Sequence, residues 1–363
     1  MTPTLGLGGS EKLTVRYANG LRERGHEVVI AYGVKNFQPD SIEQLATVQL
    51  SAQRLNRGSA LEWSRSLRRL IRTFRPDIVH AQSVKSGILV RSAAPTVPLL
   101  VTIHGMEQTD EPMAALALRL MRVRVTAVSG ATVEGLARFP WSPAVEPFYA
   151  GIDIARLRSE STGEKTFQMV GAPRLCCVAR MYPQKGIDVL LHALTSIVKV
   201  FPDAGLTLVG EGDDIEEYRA LAHELGLDSR TLFTDGVPTA APYIAAADVV
   251  VLASRWEGLP IVALESLALE RPLVATAVDG TPLVVIDGET GWLAPPEDAP
   301  ALADVVVECL RAPDEAARRA RNGRQLVEER FPADAMIDRL EELLTGHSAS
   351  RMRVPRIKLR GYS

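Results

Sequence analysis

Short runs of Val, Ile, Leu and Ala alternate along the chain with longer segments whose apolar residues return every three or four positions. In the first half the runs Glu27–Tyr32, Asp77–Ala81, Leu99–Ile103 and Val123–Val128 predict strands, and Ser10–Arg24, Ala60–Phe74, Met113–Arg119 and Thr132–Ala137 predict helices. A second series has strands at Arg174–Ala179, Gly205–Val209, Thr231–Phe233, Asp248–Ala253, Pro272–Ala275 and Trp292–Ala294. Helical patterns at Asp188–Val200, Ile215–Leu225, Pro260–Leu269, Ala299–Leu310 and Pro313–Glu329 interleave with it. Alternation on this scale predicts an α/β protein built of doubly wound parallel sheets. The polar stretch Arg158–Thr166 reads as the linker between two halves. Thr2 to Gly9 runs almost directly into a helix, so the first strand is expected to be largely missing and the start to lie upstream.

Sheets of this kind bind ligands outside the carboxyl ends of their strands. His104-Gly105, Ser129-Gly130, Arg180 and Gly210-Glu211-Gly212 all follow expected strands, and a cleft between two such edges is the expected site.

A length of 363 residues fits two domains or one large one, and a hydrophobic content of 46% supports real cores. No stretch nears the ~20 apolar residues of a membrane span, and no cleavable leader is expected, so a cytoplasmic location is. Cys176, Cys177 and Cys309 offer neither a disulfide framework nor metal spacing. Net charge divides unevenly: residues 1–165 hold 21 Lys and Arg against 15 Asp and Glu, whereas residues 166–363 hold 20 against 29. A basic first half suits an anionic acceptor or membrane surface. Few aromatics interleave with the basic residues, so no nucleic-acid partner is expected.

The most informative chemistry lies between Arg255 and Ala268, where Glu257 and Glu265 bracket the start of a helix. At helical rise the two carboxylates stand roughly 10–12 Å apart, wider than the ~5 Å of a retaining glycosidase pair. Free N–H groups of Gly258, Leu259 and Ile261 at the positive end of the helix can hold a pyrophosphate. Glu265 would then take a ribose and Glu257 a sugar. The plainer reading is two solvated glutamates near a helix start. Arg180 and Lys185 flank a proline turn and can neutralise a leaving diphosphate; as an ordinary basic loop they would do nothing. The chain has no Asp-x-Asp pair and no His/Cys/Asp cluster with ligand spacing, so no metal is expected. Gly8-Gly9-Ser10 opens a helix without completing a dinucleotide fingerprint, because Glu11 stands where the third glycine belongs.

Taken in order, Gly8-Gly9-Ser10-Glu11, Arg24-Gly25-His26-Glu27-Val28, Pro76-Asp77-Ile78-Val79-His80, Gly151-Ile152-Asp153, Ala179-Arg180 to Lys185-Gly186, Val209 to Gly212, Glu257 to Glu265, and Gly288 to Gly291 resemble the retaining glycosyltransferases of family 4. The resemblance covers nearly the whole chain. It implies a GT-B architecture: an acceptor domain at 1–165, a donor domain at 166–332, a helix at 333–346 crossing back to the first domain, and a basic disordered tail at 347–363. It further implies that Arg180 and Lys185 bind the pyrophosphate, Glu265 the ribose, and Glu257 with the 258, 259 and 261 amides the donor sugar. His104 would reach the sugar from the opposite domain, and Gly8-Gly9 would close over the donor. The family often has Asn where this chain has Ala150, and Glu where it has Leu283.

The function so implied is retaining transfer, without cofactor or metal, from a nucleotide diphosphate-sugar to a hydroxyl of a glycan, glycolipid or small molecule in polysaccharide or glycoconjugate biosynthesis. The alternatives are an epimerase or phosphorylase of the same architecture, and a non-catalytic nucleotide-sugar-binding partner of a glycan synthase. Leu61–Arg75 sets Arg65, Arg68, Arg69, Arg72 and Arg75 beside Trp63, Leu67, Leu70, Ile71 and Phe74, so peripheral contact with anionic lipid stands beside the plainer reading of a crossover helix packed on its sheet.

Overall fold

The computed structural model describes residues 1–5, 8–35, 45–51, 58–162, 167–234 and 236–346, with Lys35 and Gln108 described in their backbone alone. The tail at 347–363 lies outside the described residues. In the first half the elements run β1 (Thr2–Leu5), α1 (Gly9–Glu23), β2 (Val29–Lys35), β3 (Ala46–Gln49), α2 (Ala60–Phe74), β4 (Val79–Ala81), α3 (Val84–Ala93), β5 (Leu99–Ile103), α4 (Glu111–Met121), β6 (Arg124–Ala127), α5 (Gly130–Ala137), β7 (Val145–Pro147) and α6 (Ile154–Ser161). The second half continues with β8 (Arg174–Val178), α7 (Ile187–Val200), β9 (Gly205–Val209), α8 (Ile215–Glu224), β10 (Thr231–Thr234), α9 (Ala241–Ala246), β11 (Val249–Leu252), α10 (Ile261–Ala268), β12 (Leu273–Thr276), β13 (Trp292–Ala294), α11 (Ala299–Arg311), α12 (Pro313–Arg330) and α13 (Ala333–Thr345).

All strand pairs are parallel, in the order β10-β9-β8-β11-β12-β13 for the second half. That order turns back on itself between β8 and β11, the point at which an open α/β sheet leaves a crevice for a ligand. In the first half β1-β2-β3 and β4-β5-β6-β7 form two sheets. Met1 joins them: its nitrogen donates to the His80 carbonyl (2.6 Å) and its carbonyl accepts from the Gln82 N–H (3.0 Å). The two halves are therefore Rossmann-like domains of the same plan. Mostly aliphatic residues fill β5, β9, β11 and β12, which are buried along their full lengths, and Leu175, Cys176 and Cys177 form the buried centre of β8, as strands covered by helices on both faces require.

Two expectations need correcting. The first strand is present: Thr2, Thr4 and Leu5 pair with Tyr32, Val34 and Lys35, and Leu5 is buried. Its signal was masked by Pro3, which cannot donate to a ladder, and by the glycines after it. The polar stretch at 158–166 is not a simple linker either. Its first residues finish α6, whose Leu157 is buried and which packs on α9 and α10 of the second half; residues 163–166 lie outside the described ones. Contacts put the crossing between halves at Ala150–Asp153, where Ile152 donates to the Phe331 carbonyl (2.8 Å) and accepts from Ala333 (3.2 Å). The chain thus crosses twice along one seam. After the second crossing α13 lies on α1, with Ile337 and Leu340 joining Leu13, Tyr17 and Leu21 in one core.

Candidate functional site

Between the two sheets' carboxyl edges lies a cleft of about 410 Å³. Gly8, Gly9, His104, Arg180, Lys185, Glu257, Gly258, Leu259, Ile261 and Glu265 all line it, so residues spread over 258 positions of sequence meet in one place.

The second half supplies most of the polar surface, from the two strands that flank its crevice. Arg180 follows β8, and a 3₁₀ turn at Pro183–Lys185 carries Lys185 to the start of α7. Gly186 makes that turn with φ +59°, and any Cβ there would strike the Ala253 carbonyl, so the lysine loop can lie directly on the end of β11. Arg255 then ties the two loops together. Its guanidinium donates to both Asp188 oxygens (2.9 and 2.7 Å), to Glu297 (3.0 Å) and to the Pro183 carbonyl (2.6 Å). Gln184 adds a bond to the Trp256 carbonyl (2.9 Å). Lys185 and Glu257 are held in register by this stitching.

Both cations already have carboxylate partners. Lys185 Nζ donates to Glu257 Oε1, which also accepts from Ser254 Oγ (2.7 Å). Arg180 Nη2 donates across the cleft to both oxygens of Glu11, at 3.1 and 3.0 Å. Burial pushes the Glu11 pKa up, but Arg180 and hydrogen bonds from Thr4 and Ser10 outweigh it and hold the carboxyl below its ordinary value. The Glu257 N–H donates to Asp279 Oδ2 (2.7 Å), and burial raises the pKa of that Asp279 carboxyl.

Helix α10 opens on the cleft with Pro260 as its N-cap. The first amides of a helix have no intrahelical acceptor, so this end presents N–H donors and a positive dipole to whatever lies there. Ile261 touches the Gly9 position, and the Leu259 side chain turns into the core. Glu265, one turn into α10, is buried at the cleft wall with Arg16 of α1 3.9 Å away. His104, at the end of β5, bonds through Nε2 to Gln82 Oε1 (2.7 Å); packing around the ring lowers its pKa to about 4, so the imidazole is neutral at neutral pH. Its backbone carbonyl meets Gly258, where a Cβ would collide.

A family described as Glycosyltransferase Family 4 matches residues 7–156, and one described as Glycosyl transferases group 1 matches residues 172–312. The chain is 32% identical over 272 residues, 70% of its length and 71% of the relative's, to the GDP-mannose-dependent alpha-(1-6)-phosphatidylinositol monomannoside mannosyltransferase of Mycolicibacterium smegmatis. The chain belongs to the group 1, family 4-type glycosyltransferases. A D-inositol 3-phosphate glycosyltransferase of Corynebacterium efficiens is 34% identical over a shorter stretch, 49% of this chain and 45% of that one. Among solved structures, Anabaena Alr3699/HepE in complex with UDP and glucose superposes with a TM-score of 0.78 at 20% identity, covering 96% of this chain and all of that one. WaaG, a glycosyltransferase involved in lipopolysaccharide biosynthesis, gives 0.74 at 16% identity, with coverage of 96% and 100%. At these identities the structures establish the GT-B fold.

Three residues escape the sequence reading: Glu11, which lines the cleft, and Gln82 and Asp279, which bond to residues that do. Glu11 was seen only as part of a helix opening, Gln82 had no signal beyond its place after a strand, and Asp279 gave none. Each acts through a partner from a distant segment, Arg180, His104 and Glu257 respectively.

Proposed function

We propose that this glycosyltransferase uses a nucleotide diphosphate-sugar, requires no metal, and transfers the sugar to an acceptor hydroxyl with retention at the anomeric carbon. The observation that supports it best is the convergence of Arg180, Lys185 and the amino end of α10 on one face of a cleft that Glu257 and Glu265 also line. Arg180 and Lys185 exchange their carboxylate partners for the two phosphates, and the α10 amides bind the same group. These donors supply the positive charge a departing diphosphate needs. Glu265 accepts from the ribose hydroxyls, and His104 meets the sugar from the facing domain.

The proposed route is on one face of the sugar: the bond from C1 to the β-phosphate oxygen breaks as the acceptor oxygen bonds to C1, and the acceptor proton passes to the released phosphate. In the ligand-free protein Glu257 accepts from Lys185 and Ser254; in this reading it turns to the sugar hydroxyls once Lys185 engages the diphosphate. Since the mycobacterial relative's name specifies GDP-mannose and a phosphatidylinositol mannoside, GDP-mannose is the first donor to test and a lipid-linked glycan hydroxyl the first acceptor.

A donor screen read by release of nucleoside diphosphate, in the presence of chelator, tests the proposal directly. Proton NMR of the product should show the donor's anomeric configuration. Lys185→Ala should lower turnover about a hundredfold or more. Inverted product, chelator-sensitive turnover, or near-normal rates in Lys185→Ala would each remove the corresponding part.

A further inference from the structure

We infer that Tyr182 and Trp256 form an aromatic platform for the acceptor, and that the acceptor meets it with the C–H face of a polyhydroxylated six-membered ring, a pyranose or a cyclitol. Both side chains line the cleft and both are half-buried. Among the described residues neither packs into a hydrophobic core, meets another ring, lies under a guanidinium or hydrogen-bonds through its phenol or indole. Every other described tryptophan and tyrosine has such a place. Trp292 lies under Arg319, Trp141 rests on Phe139, Tyr149 on Phe331 and Tyr243 on Phe167, and the remainder are buried in cores. An aromatic face left bare in a cleft is surface that a ligand can cover, gaining the burial the fold itself forgoes.

Position decides which ligand. The Gln184 side chain donates to the Trp256 carbonyl (2.9 Å), the Gln184 carbonyl accepts from the Arg255 N–H (2.8 Å), and the Lys185 N–H donates to the Tyr182 carbonyl (2.9 Å). These bonds fix the backbone of both aromatics beside the Lys185–Glu257 pair. The inference rests on the proposed function, in which Lys185 takes the diphosphate, Glu257 the donor sugar and Glu265 the ribose. The base then lies at the ribose end, whereas Trp256 directly precedes Glu257 and stands at the end where the sugar departs. The other molecule required at that end is the acceptor. A flat aromatic face gains most from a rigid face of C–H groups, whose hydroxyls stay free at the rim. Gln184, Lys185 and Glu257 are the polar neighbours, which suits a ring edged with hydroxyls and not an acyl chain.

Saturation-transfer NMR of the full chain with methyl α-D-mannopyranoside, with myo-inositol and with glycerol, all without nucleotide, tests the inference. Both rings should bind more tightly than glycerol, with transfer strongest at their C–H protons. Trp256→Ala should weaken ring binding about tenfold or more, and Tyr182→Ala about threefold or more. Trp256→Phe and Tyr182→Phe, which keep a flat face, should stay near wild type. By isothermal titration Trp256→Ala should retain its affinity for GDP-mannose, which also shows that the second domain remains folded. Rings that bind wild type no better than glycerol, or that bind Trp256→Ala as well as wild type, overturn the inference. So does a GDP-mannose affinity that falls in step with ring affinity, for then the aromatic faces serve the donor. Wild type that binds neither GDP-mannose nor UDP-glucose would instead sink the donor-site reading, a distinct result because the ring measurements need no nucleotide.

Discussion

At the scale of single residues, the cleft is a set of charges that have found one another before any donor arrives. Pairing Lys185 with Glu257 and Arg180 with Glu11 avoids leaving charged groups alone in a partly dry crevice, where an unpaired charge costs several kcal/mol. In the function proposed above, a diphosphate would take the cations over and leave the carboxylates free to accept from hydroxyls. His104 differs in being kept neutral, its pKa lowered from 6.5 to about 4 by the packing around the ring. Between those two values the unfolded chain takes up a proton that the native imidazole refuses, so stability must fall as pH drops through that window. Buried His80, also lowered, acts in the same direction. His104→Asn should therefore shrink, without abolishing, the drop in melting temperature between about pH 7 and about pH 5; an unchanged drop would show the ring titrates normally. Residue types alone left Arg180, Lys185, Glu257 and Glu265 open to a plainer reading as solvated side chains; their order along the chain, matching the family, singled them out, and all four line the cleft. Their present partners were not legible, since Glu11 and Arg180 are 169 positions apart.

At the scale of elements, the amino end of α10 is useful only because the loop before it lies close to the opposite domain. Gly258 touches the His104 carbonyl and Val128, and Gly280 in turn touches the Gly258 carbonyl and Ser129. A methyl group at 258 would overlap backbone, which cannot swing aside as a side chain does. Gly258→Ala should thus leave the second domain folded yet hold the cleft open, raising the donor Kd by about tenfold or more, the equivalent of about 1.4 kcal/mol. Isothermal titration with a nucleoside diphosphate measures this, and wild-type affinity would mean the contact is dispensable. Elements of this kind were readable where apolar period and capping agreed, as at α2, whose bounds the pattern gave correctly, and at β5. Helix α3 was missed. Its sequence Val-Lys-Ser-Gly-Ile-Leu-Val lacks a clear polar face and carries Gly87 and three β-branched residues, none of which favours a helix in isolation. What holds it is packing on β5 and α2, together with Ser83, whose side chain caps the Ser86 N–H (3.1 Å).

For the whole molecule the decisive feature is that its two domains are joined at one side and latched at another. Both chain crossings run through Ile152 and Pro332, and α13 fastens onto α1 beside them, with Arg24 reaching Glu341 at 2.9 Å and also bridging Asp338. These contacts form one continuous seam between the domains. The Glu11–Arg180 pair is different, for it joins α1 of the first half to the loop after β8 of the second across the cleft both residues line. Sequence alone gave two domains and a cleft, but which residues close it depends on how the domains face each other, and no local pattern encodes that. Hydrogen bonds to charged groups contribute about 1.5–3 kcal/mol, enough to shift an open-to-closed ratio about tenfold or more. In Glu11→Gln the charge is gone while the amide keeps an oxygen for one of Thr4 and Ser10 and offers its NH2 to the other hydroxyl, so the helix start should survive and the charged latch should not. Small-angle scattering of the ligand-free variant should then give a larger radius of gyration than wild type. Adding nucleoside diphosphate should bring the two together, because the phosphates engage Arg180 regardless of what stands at position 11. Identical scattering before ligand would mean that the seam and the glycine contacts alone hold the domains closed. In that case Glu11 would serve only to neutralise Arg180 until the donor binds.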